Sequence, residues 1–210
     1  VIYMKNIKVL IITGLVVFGA ISCDESTTSS SGDIDFIIED ELVLNPTGFA
    51  PLSAQLDVMT EEPVSLEVEV RGIDGAETRL RKRFQNMDTE FELPVLGLFP
   101  NVTNIVEVTF FGSDGQELGA KMYEVTTDPL IEQLPDIEIN QVNSSQMKEG
   151  MTFVSYFGHS NEDDFVPQRP FMFDINGNIR WYLDLSDHPT LSNLFYDNGM
   201  ERLQNGNLYF

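Results

Sequence analysis

Val64, Leu66, Val68 and Val70 alternate with Ser65, Glu67 and Glu69, and Gly72-Ile73-Asp74-Gly75 then breaks the run. Period two with one charged face specifies a half-buried strand, because successive side chains of extended backbone point to opposite faces. The same alternation runs from Ile105 to Phe111, stops at Gly112-Ser113-Asp114-Gly115 and resumes from Leu118 to Val125, which predicts a hairpin. No long stretch between Ile34 and Thr127 places apolar residues at helical spacing. Short strands separated by turn signals predict an all-β fold, with residues 34–127 as a β-sandwich.

The second half carries a different signal. In PFMFDINGNIRWYL, from Pro170 to Leu183, the apolar strand Phe171-Met172-Phe173 is followed by Asn176-Gly177. Ile179, Trp181 and Leu183 then alternate with Arg180 and Tyr182. Asn-Gly accepts positive φ at both central positions, so the expectation is a hairpin closed by a two-residue type I′ turn. A second Asn-Gly at Asn205-Gly206 suggests a repeated β unit, and the expectation is that residues beyond Phe210 complete it. Residues 128–150 are proline-spaced and acidic and read as a linker. Met151 to Phe157 resumes as a strand before the polar loop Gly158 to Asp164.

At the other end, Lys5 and Lys8 precede an apolar run from Val9 to Ile21 that leads to Ser22-Cys23. Thirteen apolar residues are too few for a membrane span, which takes about 20, so residues 1–23 read as a secretory signal. Ala20-Ile21-Ser22-Cys23 resembles a bacterial lipobox, whose cysteine is lipidated and becomes the new N-terminus. Cys23 is the single cysteine, so this chain forms no internal disulfide and builds no cysteine cluster. Residues 24–33 are small or charged and read as a flexible tether. The expectation is an exported bacterial lipoprotein, anchored to a membrane on its periplasmic or cell-surface side. A formal net charge of -22 excludes nucleic acid as an obvious partner.

Catalytic patterns are sparse. His159 and His188 lie in polar loops without the spacing that puts two ligands on one metal ion. Asp174, Asn176 and Asn178 mimic the start of a calcium loop, but Ile179 stands where glycine is required and Leu185 where the bidentate glutamate belongs. There is no phosphate-binding glycine loop and no G-x-S-x-G elbow, so no cofactor is expected. The one basic cluster, Arg79, Arg81, Lys82 and Arg83, is expected between strands and reads as a solvated edge strand or loop that balances neighbouring carboxylates; an anion-binding role is the alternative.

Three segments carry a family resemblance. Asn45-Pro46-Thr47-Gly48-Phe49-Ala50-Pro51-Leu52-Ser53-Ala54 and Gly97-Leu98-Phe99-Pro100-Asn101-Val102-Thr103-Asn104 resemble corners in the N-terminal domain of bacterial PAPS-independent aryl-sulfate sulfotransferases. Phe99 and Asn101 replace that family's tyrosine and aspartate. Asp174, Gly177, Arg180, Trp181, Tyr182 and Leu183 match the family's D-x-x-G-x-x-R-W-Y-L run, where its β-propeller begins. The resemblance implies an Ig-like sandwich followed by the first strands of an incomplete propeller, over residues 151–210. It also implies transfer of a sulfuryl group from an aryl sulfate to a phenolic acceptor through a sulfohistidine, and it allows a homodimer. The family's catalytic residues map to no position of this chain and are expected downstream of Phe210. An alternative on the same architecture is a non-catalytic surface lipoprotein that binds a glycan or a protein.

Overall fold

The computed structural model describes residues 34–73, 75–143, 150–155, 160–161, 164–165, 169–192, 201–202 and 208–209. Among these, regular structure is β apart from one 3-10 turn at Ala76–Thr78. The first five strands are β1 (Ile37–Leu44), β2 (Ser53–Val70), β3 (Leu80–Leu96), β4 (Thr103–Phe111) and β5 (Glu117–Thr126). They form one antiparallel sheet in which β2 is central, at 18 residues, and β3 follows it for 17. The expectation of uniformly short strands therefore fails here. The break at Glu61-Glu62-Pro63 contains a proline that cannot donate to the ladder but no glycine, so the chain bends without reversing. Register slips between Met59 and Val64.

That bend makes the sandwich. Before it, β2 pairs with β1 on one edge; after it, the same edge pairs with β4, while β3 runs along the other edge throughout. The sheet curls so that the inner faces of its two halves meet. Leu56 and Val58 from the first half join Leu66, Val106, Val108 and Phe110 from the second in one buried cluster. Fully burying such side chains contributes about 1.5–3 kcal/mol each. Across the closure, Phe36 meets Phe110 edge to face at 5.5 Å, and Lys121 Nζ on β5 lies 2.8 Å from Asp40 Oδ1 on β1. The Tyr123 phenol, buried beside Asp40, has its pKa pushed up by desolvation.

The later strands are short: β6 (Thr152–Val154), β7 (Ser160–Asn161), β8 (Asp164–Phe165), β9 (Phe171–Phe173), β10 (Ile179–Tyr182), β11 (Glu201–Arg202) and β12 (Leu208–Tyr209). β9 pairs with β10 on one side and β6 on the other. β11 pairs with β12 around the second Asn-Gly, and that turn itself lies outside the described residues.

The first Asn-Gly turn is not type I′. Gly177 has φ +86°, but Asn176 is not among the residues with positive φ. Gly177 N–H donates to Asp174 O and Asp174 N–H to Asn178 O, both at 3.0 Å, which is a type I turn followed by a left-handed glycine. Asp174 explains the difference. Its Oδ1 accepts the backbone N–H groups of Asn176 and Asn178, each at 3.0 Å, and an Asx turn of this kind holds Asn176 on the ordinary side of φ.

The hairpin joins the sandwich core. Phe171, Ile179 and Tyr182 belong to the same apolar cluster as β2 and β4, and Leu130, Ile131, Leu134 and Ile137 pack against it. Residues 128–143 are irregular; Leu130 to Ile137 lie as a strap against the core, and residues 138–143 are exposed.

Candidate functional site

The three segments singled out in the sequence meet in space, and a buried arginine is at their centre. Each corner first shapes itself. In the 45–54 segment, Asn45 sits at φ 48° and its Oδ1 accepts the Ala50 N–H at 2.9 Å, while Ser53 Oγ donates to Ala50 O at 2.7 Å. In the 97–104 segment, Asn104 is buried and grips Phe99 twice, accepting its N–H at 2.7 Å and donating to its carbonyl at 2.9 Å. Thr127 Oγ1 donates to the same carbonyl. Gly97 takes φ +86°, a conformation that favours glycine, and a Cβ there would displace only the Cδ1 end of the Leu80 side chain.

The corners then bond to one another. Leu98 N–H donates to Leu52 O at 3.3 Å, and Asp184 N–H donates to Phe49 O at 2.9 Å. Arg180 from β10 enters between them with no exposed surface. Its Nε and Nη2 donate to Gly97 O at 2.8 and 2.5 Å, and its Nη1 donates to Thr78 O at 2.7 Å and to Asp174 Oδ2 at 2.9 Å. The guanidinium also stacks 3.4 Å from the Phe99 ring centre. A planar fork that is always charged suits such a site, where an ammonium could not reach both carbonyls and stack at once. All four residues of β10 are buried, so the alternation read from the sequence does not separate a wet face from a dry one.

A second charged pair lies at the exit of the hairpin. Arg169 is buried, its Nη2 donates to Ser186 Oγ at 2.7 Å and its Nε lies 3.2 Å from Asp184 Oδ1. Burial pushes the Asp184 carboxyl up, but the Ser186 hydroxyl and backbone N–H together with Arg169 outweigh it, and the net shift is downward. Tyr182 shifts upward through burial and the nearby carboxylates of Asp184 and Asp128, partly offset by Arg169.

The remaining sequence candidates are placed as follows. His188 packs against Phe49 with ring centres 5.0 Å apart, and its Nδ1 accepts the N–H groups of Thr190 and Leu191 at 3.2 and 3.0 Å. That nitrogen caps a turn. His159, the lipobox with Cys23, the segment 1–23 and the tether 24–33 lie outside the described residues. Lys82 and the two arginines Arg81 and Arg83 lie within β3 rather than between strands, with Arg81 opposite Glu69 and Arg83 opposite Glu67. Arg83 also stacks 3.2 Å from the Phe111 ring centre. Cross-strand carboxylates thus lie opposite Arg81 and Arg83, whereas Lys82 is opposite Val68 and Arg79 ends the 3-10 turn. Among the described residues, no group of three His, Cys, Asp or Glu side chains is arranged to hold a metal ion, and no helix is long and apolar enough to cross a membrane.

Around Arg180 the junction therefore bonds mainly to itself, whereas Arg169 keeps Nε and Nη1 buried without a hydrogen-bond partner among the described residues. The junction fixes how the hairpin seats on the sandwich and presents no nucleophile. Sequence reasoning matched Arg180 and Asp174 to a motif but did not foresee the contact of Arg180 with Gly97 and Thr78. Only the coincidence of unusual residues in all three segments hinted at it.

Comparison with known proteins finds two family models that match the chain. Residues 41–128 match the family model described as arylsulfotransferase Ig-like domain, and residues 136–210 match the one described as arylsulfotransferase (ASST). No curated protein matches the chain significantly.

Proposed function

Because the chain belongs to the arylsulfotransferase family, we propose that the protein moves a sulfuryl group from an aryl sulfate to a phenolic acceptor through a sulfohistidine. In the first step a histidine nitrogen bonds to sulfur as the S–O bond to the aryl group breaks and a phenolate leaves. In the second, the acceptor's phenolic oxygen gives up its proton and bonds to sulfur as the N–S bond breaks, which releases the histidine. Covalent catalysis of this type divides one high barrier into two lower ones, and fixed donors must face the sulfuryl oxygens throughout. The observation that supports this reading is the ordered pair of family matches over 41–128 and 136–210. Within it, the junction around Arg180 serves as the mount that orients the transfer domain on the sandwich. We assign the nucleophile to no residue of this chain, since His188 Nδ1 caps a turn.

The test uses protein expressed from its complete gene, incubated with p-nitrophenyl sulfate. Nitrophenolate release that rises with added phenol, and yields phenyl sulfate, supports the proposal. Release independent of phenol would point to a hydrolase. No release with any aryl sulfate would favour a binding platform instead.

Lipidation of Cys23 and membrane anchoring are part of the same proposal. One acyl chain binds a bilayer only marginally, so stable anchoring requires the additional chains of a mature lipoprotein. Cys23→Ala should abolish labelling by a fatty-acid analogue and release the protein from membranes. Light scattering on the delipidated protein tests whether it forms a homodimer.

A further inference from the structure

We propose that the edge of β3 between Phe84 and Leu93 is a docking edge for an extended cationic segment of a partner protein, which adds to the sheet as a further strand. β3 hydrogen-bonds to β2 along one side, and among the described residues no strand pairs with its other side. A groove of about 400 Å³ runs beside this edge, lined by Phe84, Gln85, Asn86, Asp88, Phe91 and Leu93. A second hollow, of about 510 Å³, shares Glu90, Phe91 and Glu92 with the first and extends over the outer face of the sheet around Met59. Past the register shift between Phe84 and Glu90, the backbone of an added strand would pair with β3 from Glu90 to Leu93, and its alternate side chains would fall on the acidic outer face and beside Phe91 and Leu93 in a groove of mixed polarity.

Charge selects the occupant. On the outer face Glu41, Asp57 and Glu92 lie directly opposite one another across three strands, and Glu39 and Glu90 flank Met59 in the next row. Like charges opposed in this way are destabilising, and here no lysine or arginine is in register with them. Lys or Arg at every second position of an incoming strand would relieve the row. A second copy of this chain fits less well: Arg83 and Arg81 of its β3 already face Glu67 and Glu69, and each copy carries a formal charge of -22.

The experiment measures fluorescence anisotropy of a labelled short peptide of alternating Lys and Val titrated with the whole protein. Binding is expected, weakening with salt. A peptide of the same composition with its pairing amides N-methylated should bind at least about tenfold more weakly, because it keeps the charge and loses the ladder. Glu92→Gln and Glu90→Gln should each weaken binding several-fold, whereas Glu69→Gln, on the basic half of the sheet, should leave it unchanged. All three are near-isosteric surface changes. No binding, or equal binding of the methylated peptide, would overturn the proposal. So would a concentration-dependent dimer abolished by Glu92→Gln, which would assign the edge to a second copy.

Discussion

The curled sheet and the hairpin that sits on it share one apolar cluster, but the hairpin is fixed in addition by a buried charge. In the sheet, Leu56, Leu66, Val106, Val108 and Phe110 are buried with almost no polar company, and any apolar side chains of similar volume would serve nearly as well. At the hairpin, the largest fully buried side chain is an arginine, held by two backbone carbonyls, a carboxylate and a ring. An apolar interface tolerates sliding, whereas a guanidinium with directional partners on two elements permits one seating. The sheet supplies stability, and the junction supplies orientation.

The sharpest way to break that contrast is Arg180→Ala. Removing one partner of a buried pair leaves the Asp174 carboxylate and the Gly97 and Thr78 carbonyls facing a cavity, a loss of about 3–5 kcal/mol. Trp181 is the single tryptophan and is 8% exposed beside Arg180, so its fluorescence reports the hairpin while far-ultraviolet circular dichroism reports the sheet. In the native chain the two signals should melt together. In Arg180→Ala the Trp181 transition should come first; coincident transitions in the variant would show that the apolar cluster alone seats the hairpin.

Asn104→Ala probes the corner on the sheet side of the contact. It strands the Phe99 N–H in a buried site, at a cost of about 1–3 kcal/mol by denaturant unfolding. Here both signals should shift together, since the corner belongs to both regions.

The pH response should separate the regions again. The folded Asp184 carboxyl lies below its ordinary value of 3.8, so its contribution is fully present above that pH and is lost as pH falls through the lower folded value. Acid titration should therefore perturb Trp181 fluorescence before the circular dichroism of the sheet. Asp184→Asn should flatten that acid limb.

The smallest effect is expected on the outer face of the sheet. Glu92→Gln removes one charge from the row it forms with Asp57 and Glu41 and should stabilise the protein by about 0.2–1 kcal/mol at low salt, fading as salt rises. A loss of stability would mean that the row is already compensated.

Much of the sheet was legible because period-two alternation is a local property. Val64 to Val70 and Ile105 to Phe111 fell in strands, and Gly112 to Gly115 fell in the turn between β4 and β5. The bend at Glu61-Glu62-Pro63 was less so, since proline and two acids between alternating runs read equally well as a loop. The Asn176-Gly177 turn misled because Asn-Gly favours type I′ in isolation, and the carboxylate of Asp174 two residues earlier overrode that preference. Arg180 was legible only as a matched motif position: alternation puts it on the opposite face from Trp181 and says nothing of what covers that face.

The sequence by itself determined which segments extend, where most of them turn, and the family to which the chain belongs, since each is written in residues close together along the chain. Tertiary structure alone decided that one bent sheet forms both layers of the sandwich and that Arg180 reaches Gly97, 83 positions away. Strand periodicity repeats over two residues, so it cannot encode a partner at that distance. What fixes the partner is the buried guanidinium itself, which is stable only where fixed carbonyls, a carboxylate and a ring replace its water, and in this fold Gly97 and Phe99 of one corner, Thr78 of the 3-10 turn and Asp174 of the hairpin provide them together.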